Sequence, residues 1–320
     1  AAAHFVVLPV KENFSDVKEQ PQEAIQAPPE QKDDYWKTFS PAEAKGVYLT
    51  ASSAYNKKKI NEIIGLLNET ELNAVVIDVK DGDGVYLDDK MKALVERLVK
   101  EKIFPIARVA VFFDNDLAKR RPELAIKNQN GSLWRNRRGD YWVDPSSREV
   151  WEYNAEAAKK AILLGFKEIQ FDYVRFPSDG SLKAIKFPFW NESEKSRAET
   201  IRSFFEYITN DLRAFKKDVV LSADIFAFTF LVEKDDDLGI GQTVDIALPY
   251  FDFISPMIYP SHYSAGNFGF GNPAEHPYEV VSGTLEQGKK FFGGVDPASL
   301  DMLKWQKIRP WLFPRQLRGK

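Results

Sequence analysis

From Gly46 onward, short apolar runs alternate with stretches in which apolar residues recur every three or four positions. Gly46–Thr50 (GVYLT), Ala74–Lys80 (AVVIDVK), Pro105–Val111 (PIARVAV), Glu168–Val174 (EIQFDYV), Val219–Ala223 (VVLSA) and Asp252–Ile258 (DFISPMI) read as strands. Ala74–Lys80 is almost wholly apolar, as expected of a strand covered on both faces. Between the strands, Asn56–Glu69 sets Ile60, Ile63, Ile64 and Leu67 at helical spacing, and Asp88–Glu101 does so with Leu94, Val95 and Leu98. Arg148–Leu164 and Glu194–Phe215 are two further predicted helices.

This alternation predicts an α/β fold with a parallel sheet. A doubly wound sheet and a (β/α)8 barrel of the TIM type both satisfy it. The barrel is favoured on two grounds. No G-x-G-x-x-G turn follows the first strand in GVYLTASSAYN. Polar residues recur just past the C-terminal ends of successive strands, where a barrel builds its site. Such barrels take roughly 250 residues plus insertions, so the 320 residues need hold only one. Lys307–Phe313 (KIRPWLF) reads as a seventh strand, and PRQLRGK after it leaves no room for an eighth strand and helix. The barrel is therefore expected to be incomplete at its C-terminal end.

Residues 1–40 have a different character. Lys11–Asp34 is rich in Glu, Gln, Lys and Pro, a composition that buries too little apolar surface to offset its ordering entropy. It reads as a flexible tether, either to an envelope anchor or as a plain disordered tail, leaving 41–320 for the barrel. No basic, then apolar leader stands at Ala1, so any signal peptide is expected to be absent or already removed. No apolar run approaches the roughly 18 residues of a membrane span.

Composition narrows the chemistry. The net charge of −3, with no basic stripe, argues against nucleic acid as a partner. The chain has no cysteine, which excludes disulfides, thiolate metal sites and cysteine nucleophiles. The three histidines, His4, His262 and His276, show no metal-binding spacing, and no G-x-S-x-G elbow occurs. DGDG at Asp81–Gly84 fails the EF-hand pattern, which would need ligands at Val79 and Lys90. Asp235–Asp237 reads as a solvated loop. No metal and no cofactor are expected.

The polar residues at the predicted strand ends are Asp78 and Lys80, Arg108, then Asp172, Tyr173 and Arg175, then Asp224, then Tyr259 and His262. Strand alternation places Asp78 and Lys80 on one face, to bind hydroxyls or to form a salt bridge in the barrel mouth. Asp172 stands among apolar neighbours, where a charge is costly unless paired or used. Two readings follow: an ion pair with Arg175 tying strand to loop, or one of two carboxylates facing a cleft, the minimum for glycoside hydrolysis. Asp224, from the next strand, is the second candidate carboxylate. Trp134, Tyr141 and Trp142 either line a sugar platform or pack their loop onto the barrel. His262 is a candidate hydrogen-bond donor to substrate or a residue of a capping loop.

In order along the chain, GVYLT, VVIDVKDGDG, GFKEIQFDYVRFPSDG, LSADIF, DFISPMIYPSHYSAGNFG and KIRPWL resemble the bacterial DUF4015 family of glycoside-hydrolase-like proteins, from about Ala44 to Leu312. The resemblance implies a TIM barrel, glycosidase-like activity on a polysaccharide or cell-envelope glycan, and a secreted or envelope setting. Matched position by position, it implies Asp172 as nucleophile or base and Asp224 as general acid, roles that could be exchanged. The same matching implies Asp78, Lys80, Arg175, Tyr259 and His262 as residues that position hydroxyls, and Arg108, Trp142 and Tyr173 are further candidate glycan contacts from their places at the strand ends and in the aromatic loop. After Leu312 this chain departs from the family pattern, which bears on barrel closure. The alternative function is a carbohydrate-binding or scaffold barrel of the envelope without catalysis.

Overall fold

The computed structural model describes residues 34–293 and 300–312. Seven parallel strands form its frame: β1 (Gly46–Leu49), β2 (Ala74–Asp81), β3 (Phe104–Ala110), β4 (Glu168–Asp172), β5 (Val220–Phe226), β6 (Phe253–Ile258) and β7 (Trp311–Leu312). They are hydrogen-bonded in sequence order. Among the described residues β1 pairs only with β2, and β7 only with β6. The sheet nonetheless curls far enough that the Tyr48 and Trp311 rings, from its two edges, meet edge to face at 6.0 Å. This is the incomplete barrel of the TIM type that the sequence predicts.

Side-chain alternation divides the strands cleanly. Val75, Ile77, Val109, Ile169, Phe171, Leu221, Ala223, Ile225 and Ile254 face outward and belong to the main buried core. Helices cover them: α1 (Lys57–Glu69), α2 (Asp89–Lys100), α3 (Arg148–Leu163) and α4 (Arg197–Phe215). Each begins where a side chain caps it. Asn56, Asp88 and Ser147 accept backbone N–H bonds, and Ser196 forms a capping box with Glu199. The inward residues of β2 and β3, Ala74, Val76, Phe104 and Ile106, form a separate apolar cluster at the barrel floor. Among the described residues no helix is long and apolar enough to cross a membrane.

Several expectations change. At the end of the stretch expected to form a tether to residue 40, Asp34–Thr38 is a short helix, and Trp36 and Phe39 pack against the floor cluster. The rest of that stretch, to residue 33, lies outside the described residues. The predicted strand at Val219–Ala223 runs on to Phe226, so Asp224 sits within a strand rather than after it. The predicted seventh strand shrinks to Trp311–Leu312 plus a bridge from Ile308 to Ile254.

A fifth covering helix, α5 (Pro277–Gly288), was not predicted from PYEVVSGTLEQG. Its glycines weaken helix propensity. They are there for packing: a Cβ at Gly283 would lie 2.6 Å from Phe268, and one at Gly288 would lie 2.2 Å from Phe230.

Long excursions follow β3 and β4, at the end of the barrel where sites are built. They are tied to each other by an antiparallel ribbon pairing Lys127 with Lys186 and Asn128 with Ile185. Asp144 strengthens the tie, one of its oxygens accepting the backbone N–H of Phe189 (2.8 Å) and of Trp190 (3.1 Å). DGDG is a tight turn in which Asp81 accepts the N–H groups of Asp83 and Gly84 and the Tyr86 hydroxyl.

Candidate active site

The inward residues change character around the barrel. Where β2 and β3 are apolar up to their last turn, β4 to β6 present Glu168, Gln170, Asp172, Ser222, Asp224 and Ser255, all buried. Glu168 at the base is paired with Arg309 and accepts the Ser222 hydroxyl at 2.5 Å. Gln170 donates to Ser255 at 3.2 Å. Above them opens a cleft of about 990 Å³, lined among others by Tyr48, Arg108, Gln170, Asp172, Asp224, Tyr259, His262 and Trp311.

Arg108 is the hub of the cleft. Its guanidinium is paired with Asp172, lies 2.5 Å from Asp78, and places Nε 3.5 Å from Asp224 Oδ2. Burial works against its charge, but the three aspartates outweigh that and hold the guanidinium above its ordinary pKa. One cation thus meets three carboxyl groups. Contact with one guanidinium also keeps Asp172 and Asp224 within the roughly 9.5 Å that bounds catalytic carboxylate pairs.

The two carboxyl groups have different surroundings. Asp172 accepts from Arg108 and from the backbone N–H of Tyr173 at 2.5 Å. Asp224 is 1% exposed. Its Oδ1 accepts the Trp311 indole N–H at 2.7 Å, while Oδ2 is buried without a hydrogen-bond partner. Burial first, and the charge of Asp172 second, push its carboxyl well above the usual carboxylate range, against the opposing pull of Arg108 and Trp311. Burial, then the charges of Asp224 and Asp172, also raise the Tyr259 hydroxyl.

The remaining expected contacts divide. Arg108, Tyr259 and His262 line the cleft, with His262 exposed at its rim and its ring edge-on to Tyr259 at 5.3 Å. Asp78 stands behind Arg108, buried, accepting the Tyr48 hydroxyl.

Lys80 does not share the face of Asp78. The register of β2 on β3 shifts after Asp78, so that Asp78 lies opposite Arg108 but Lys80 opposite Val109. The extra residue, Val79, turns Lys80 away from the barrel interior. Its ammonium is fully buried, 2.7 Å from Asp114 and 2.5 Å from the Ala110 carbonyl, with no surface left for a hydroxyl.

Arg175 does not pair with Asp172 either. Tyr173 adopts a left-handed backbone (φ 54°), rare for a residue with a side chain, and this breaks the alternation of β4 before Arg175 is reached. Arg175 donates to the Phe176 carbonyl and the Ser178 hydroxyl and lies against the rings of Trp142, Tyr173 and Phe226. Trp142 is 2% exposed, packed on Phe113 and Tyr173, and Trp134 is equally withdrawn, donating to the Ser181 carbonyl. These tryptophans pack their loop onto the barrel and offer no platform in the cleft. Tyr173 is half-buried, stacked on Phe113 at 4.7 Å, outside the cleft lining.

Tyr48, Arg309 and Trp311 also line the cleft, although residue type alone assigns them no chemical role. Alternation in KIRPWLF puts Arg309 and Trp311 on one face, the signal that would have identified them. Among the described residues no cluster of three or more His, Cys, Asp or Glu side chains is arranged to hold a metal ion.

A family model, DUF4015, described as "Putative glycosyl hydrolase domain", matches residues 46–89 and 85–316. No curated protein matches the chain. Among solved structures, a hypothetical protein from Ruminiclostridium thermocellum is 34% identical, covering 56% of this chain and 96% of its own, with a TM-score of 0.49. The alpha-galactosidase TtGalA from Thermus thermophilus is 13% identical, covering 86% of this chain and 60% of its own, with a TM-score of 0.49. The maltogenic alpha-amylase AmyB from Thermotoga neapolitana is 12% identical over 79% of this chain and 56% of its own, with a TM-score of 0.46. The chain thus spans less than two thirds of the length of either enzyme.

Proposed function

We propose that this chain, which belongs to the DUF4015 family, hydrolyses glycosidic bonds with Asp224 as general acid and Asp172 as nucleophile or base. One observation carries the reading: two carboxyl groups on adjacent strands share one arginine, and one of them, Asp224, is 1% exposed with an oxygen that has no hydrogen-bond partner, so that burial drives it toward its protonated form. Carboxyl pairs with divergent environments are how one site holds an acid and a base at the same pH.

In this mechanism Oδ1 of Asp224 is occupied by the Trp311 N–H, so the proton resides on Oδ2, which has no hydrogen-bond partner and lies 3.5 Å from Arg108 Nε. That O–H donates to the glycosidic oxygen as its bond to the anomeric carbon breaks. Asp172, oriented by Arg108 and the Tyr173 N–H, either attacks the anomeric carbon or takes a proton from the attacking water. Tyr259, His262 and Tyr48 supply hydroxyl and ring contacts around the sugar. The substrate is a polysaccharide or envelope glycan, and the protein works outside the cytoplasm of a bacterium, a placement that cell fractionation would test.

The deciding experiment is a polysaccharide screen with wild type beside Asp172→Asn and Asp224→Asn. Sugar release by wild type alone is expected. Release by all three alike would refute the assignment, and binding by all three without release by any would indicate a carbohydrate-binding barrel. The anomer first formed, followed by NMR, then assigns Asp172 as nucleophile (retention) or base (inversion).

A further inference from the structure

The cations of the cleft are almost all spent. Arg108 is shared by three aspartates, Arg309 is paired with Glu168, and Lys45 with Glu71. Arg138 also lines the cleft, from the excursion that follows β3, and is exposed. Among the described residues its side chain has no ion pair or hydrogen bond.

The loop beneath Arg138 is held without its help. Asn136 Oδ1 accepts the N–H groups of Arg138 and Asp140, both at 2.9 Å, and Asn136 N–H donates to the Asp140 carbonyl at 3.0 Å. From the other excursion, Gly180 packs so closely that a Cβ there would lie 3.1 Å from Asn136 Cα. A fixed loop therefore holds an uncommitted guanidinium at a sugar-sized cleft, in a chain whose net charge is −3.

We propose that Arg138 forms an anionic subsite, and that the glycan taken by this cleft bears negative groups: uronic carboxylates, sulfate esters or phosphodiesters. The inference rests on reading the cleft as a glycan site. The chemistry is direct. A guanidinium presents parallel N–H donors that match a carboxylate, sulfate or phosphate oxygen pair, and among the described residues no ion-pair partner has to be displaced before it binds. A neutral glycan would gain little from Arg138, which would stay in water.

The test is affinity electrophoresis of wild type, Arg138→Ala, Arg138→Lys and Arg138→Glu in gels containing polygalacturonate, a carrageenan, poly(glycerol phosphate) or neutral galactan. Wild type should be retarded by at least one acidic glycan, and which one identifies the anion. Arg138→Ala should weaken that binding roughly tenfold, the scale of one charge-assisted contact. Arg138→Glu should abolish it and Arg138→Lys should keep part of it. All four proteins should treat galactan alike and share nearly one melting temperature, because among the described residues the exposed side chain makes no hydrogen bond or ion pair.

Failure to bind any acidic glycan, or binding indifferent to Arg138→Glu, would overturn the proposal. Sugar release by wild type and Asp224→Asn on the same glycans separates the two claims. Acidic glycan bound through Arg138 but never cut keeps the subsite and overturns hydrolysis. Neutral glycan cut equally by wild type and Arg138→Glu does the reverse.

Discussion

Two buried ionic clusters begin two residues apart on β2 and have opposite characters. Lys80 and Asp114 are one cation and one anion, 0% and 1% exposed, sealed behind the barrel wall. Asp114 also caps the helix Asn115–Arg120 through the Leu117 N–H, so its charge is fully used. The Arg108 cluster sets one cation against Asp78, Asp172 and Asp224, and it opens onto the cleft. A balanced, closed pair fixes structure. An unbalanced, open one cannot neutralise every carboxyl group, and burial raises the pKa of both Asp78 and Asp224, that of Asp224 well above the ordinary range. The single inserted residue at Val79 separates the two.

The largest effects should come from the open cluster. Asp172→Asn and Asp224→Asn are each expected to lower kcat by about 10²- to 10⁴-fold, the usual contribution of a proton-transferring group. Steady-state rates on the cleaved glycan measure this. Stability should move the other way for Asp224→Asn. Because the folded pKa of Asp224 lies above its unfolded value, the folded state gains from the bound proton most fully at low pH. That contribution declines as pH rises from the unfolded value, about 3.9, toward the folded one. Urea denaturation of wild type should show this decline, and the Asn variant should lack it.

The closed pair should respond in stability alone. Lys80→Met leaves Asp114 buried and uncompensated, at a cost of about 3–5 kcal/mol, read as a lower urea midpoint. Adding Asp114→Asn, which keeps a capping oxygen, should recover much of the loss. Unchanged kcat in the surviving folded protein would confirm that Lys80 takes no part in the chemistry. A lost kcat at normal stability would break the contrast between the clusters.

A finer test concerns Trp311. Its indole N–H favours the ionised form of Asp224, so Trp311→Phe should raise the acid's pKa further and move the alkaline limb of the pH–rate profile to higher pH. An unmoved limb would mean that another group donates the proton. The smallest effect belongs to His262, exposed at the rim. His262→Ala should raise KM about two- to fivefold and leave kcat alone, the mark of uniform binding.

The parallel sheet and four of its covering helices were legible because outward-facing residues such as Val75, Ile77, Ile169 and Phe171 make apolar runs that local patterning reveals. Asp172 and Asp224 stood out as charges inside such runs. Their partners did not, since the cation beside Asp172 lies 64 residues away at Arg108, while Arg175, three residues on, offers itself to a local reading. Two backbone events redirected the rest. The inserted residue at Val79 turned Lys80 away from the cleft, and the left-handed Tyr173 sent Arg175 into a nest of aromatic rings. Neither leaves a mark in residue type. Trp134 and Trp142 carry the same ambiguity, since an indole serves a sugar platform and a loop core equally well.

The protonation state of Asp224 is what distinguishes this cluster from a structural one. It can be read directly by NMR of the protein labelled with ¹³C at aspartate side-chain carboxyls, with Asp224→Asn to assign the resonance. The expected result is an Asp224 carboxyl that titrates well above the ordinary aspartate value. A carboxyl titrating near the ordinary aspartate value, about 3.9, would contradict its role as general acid.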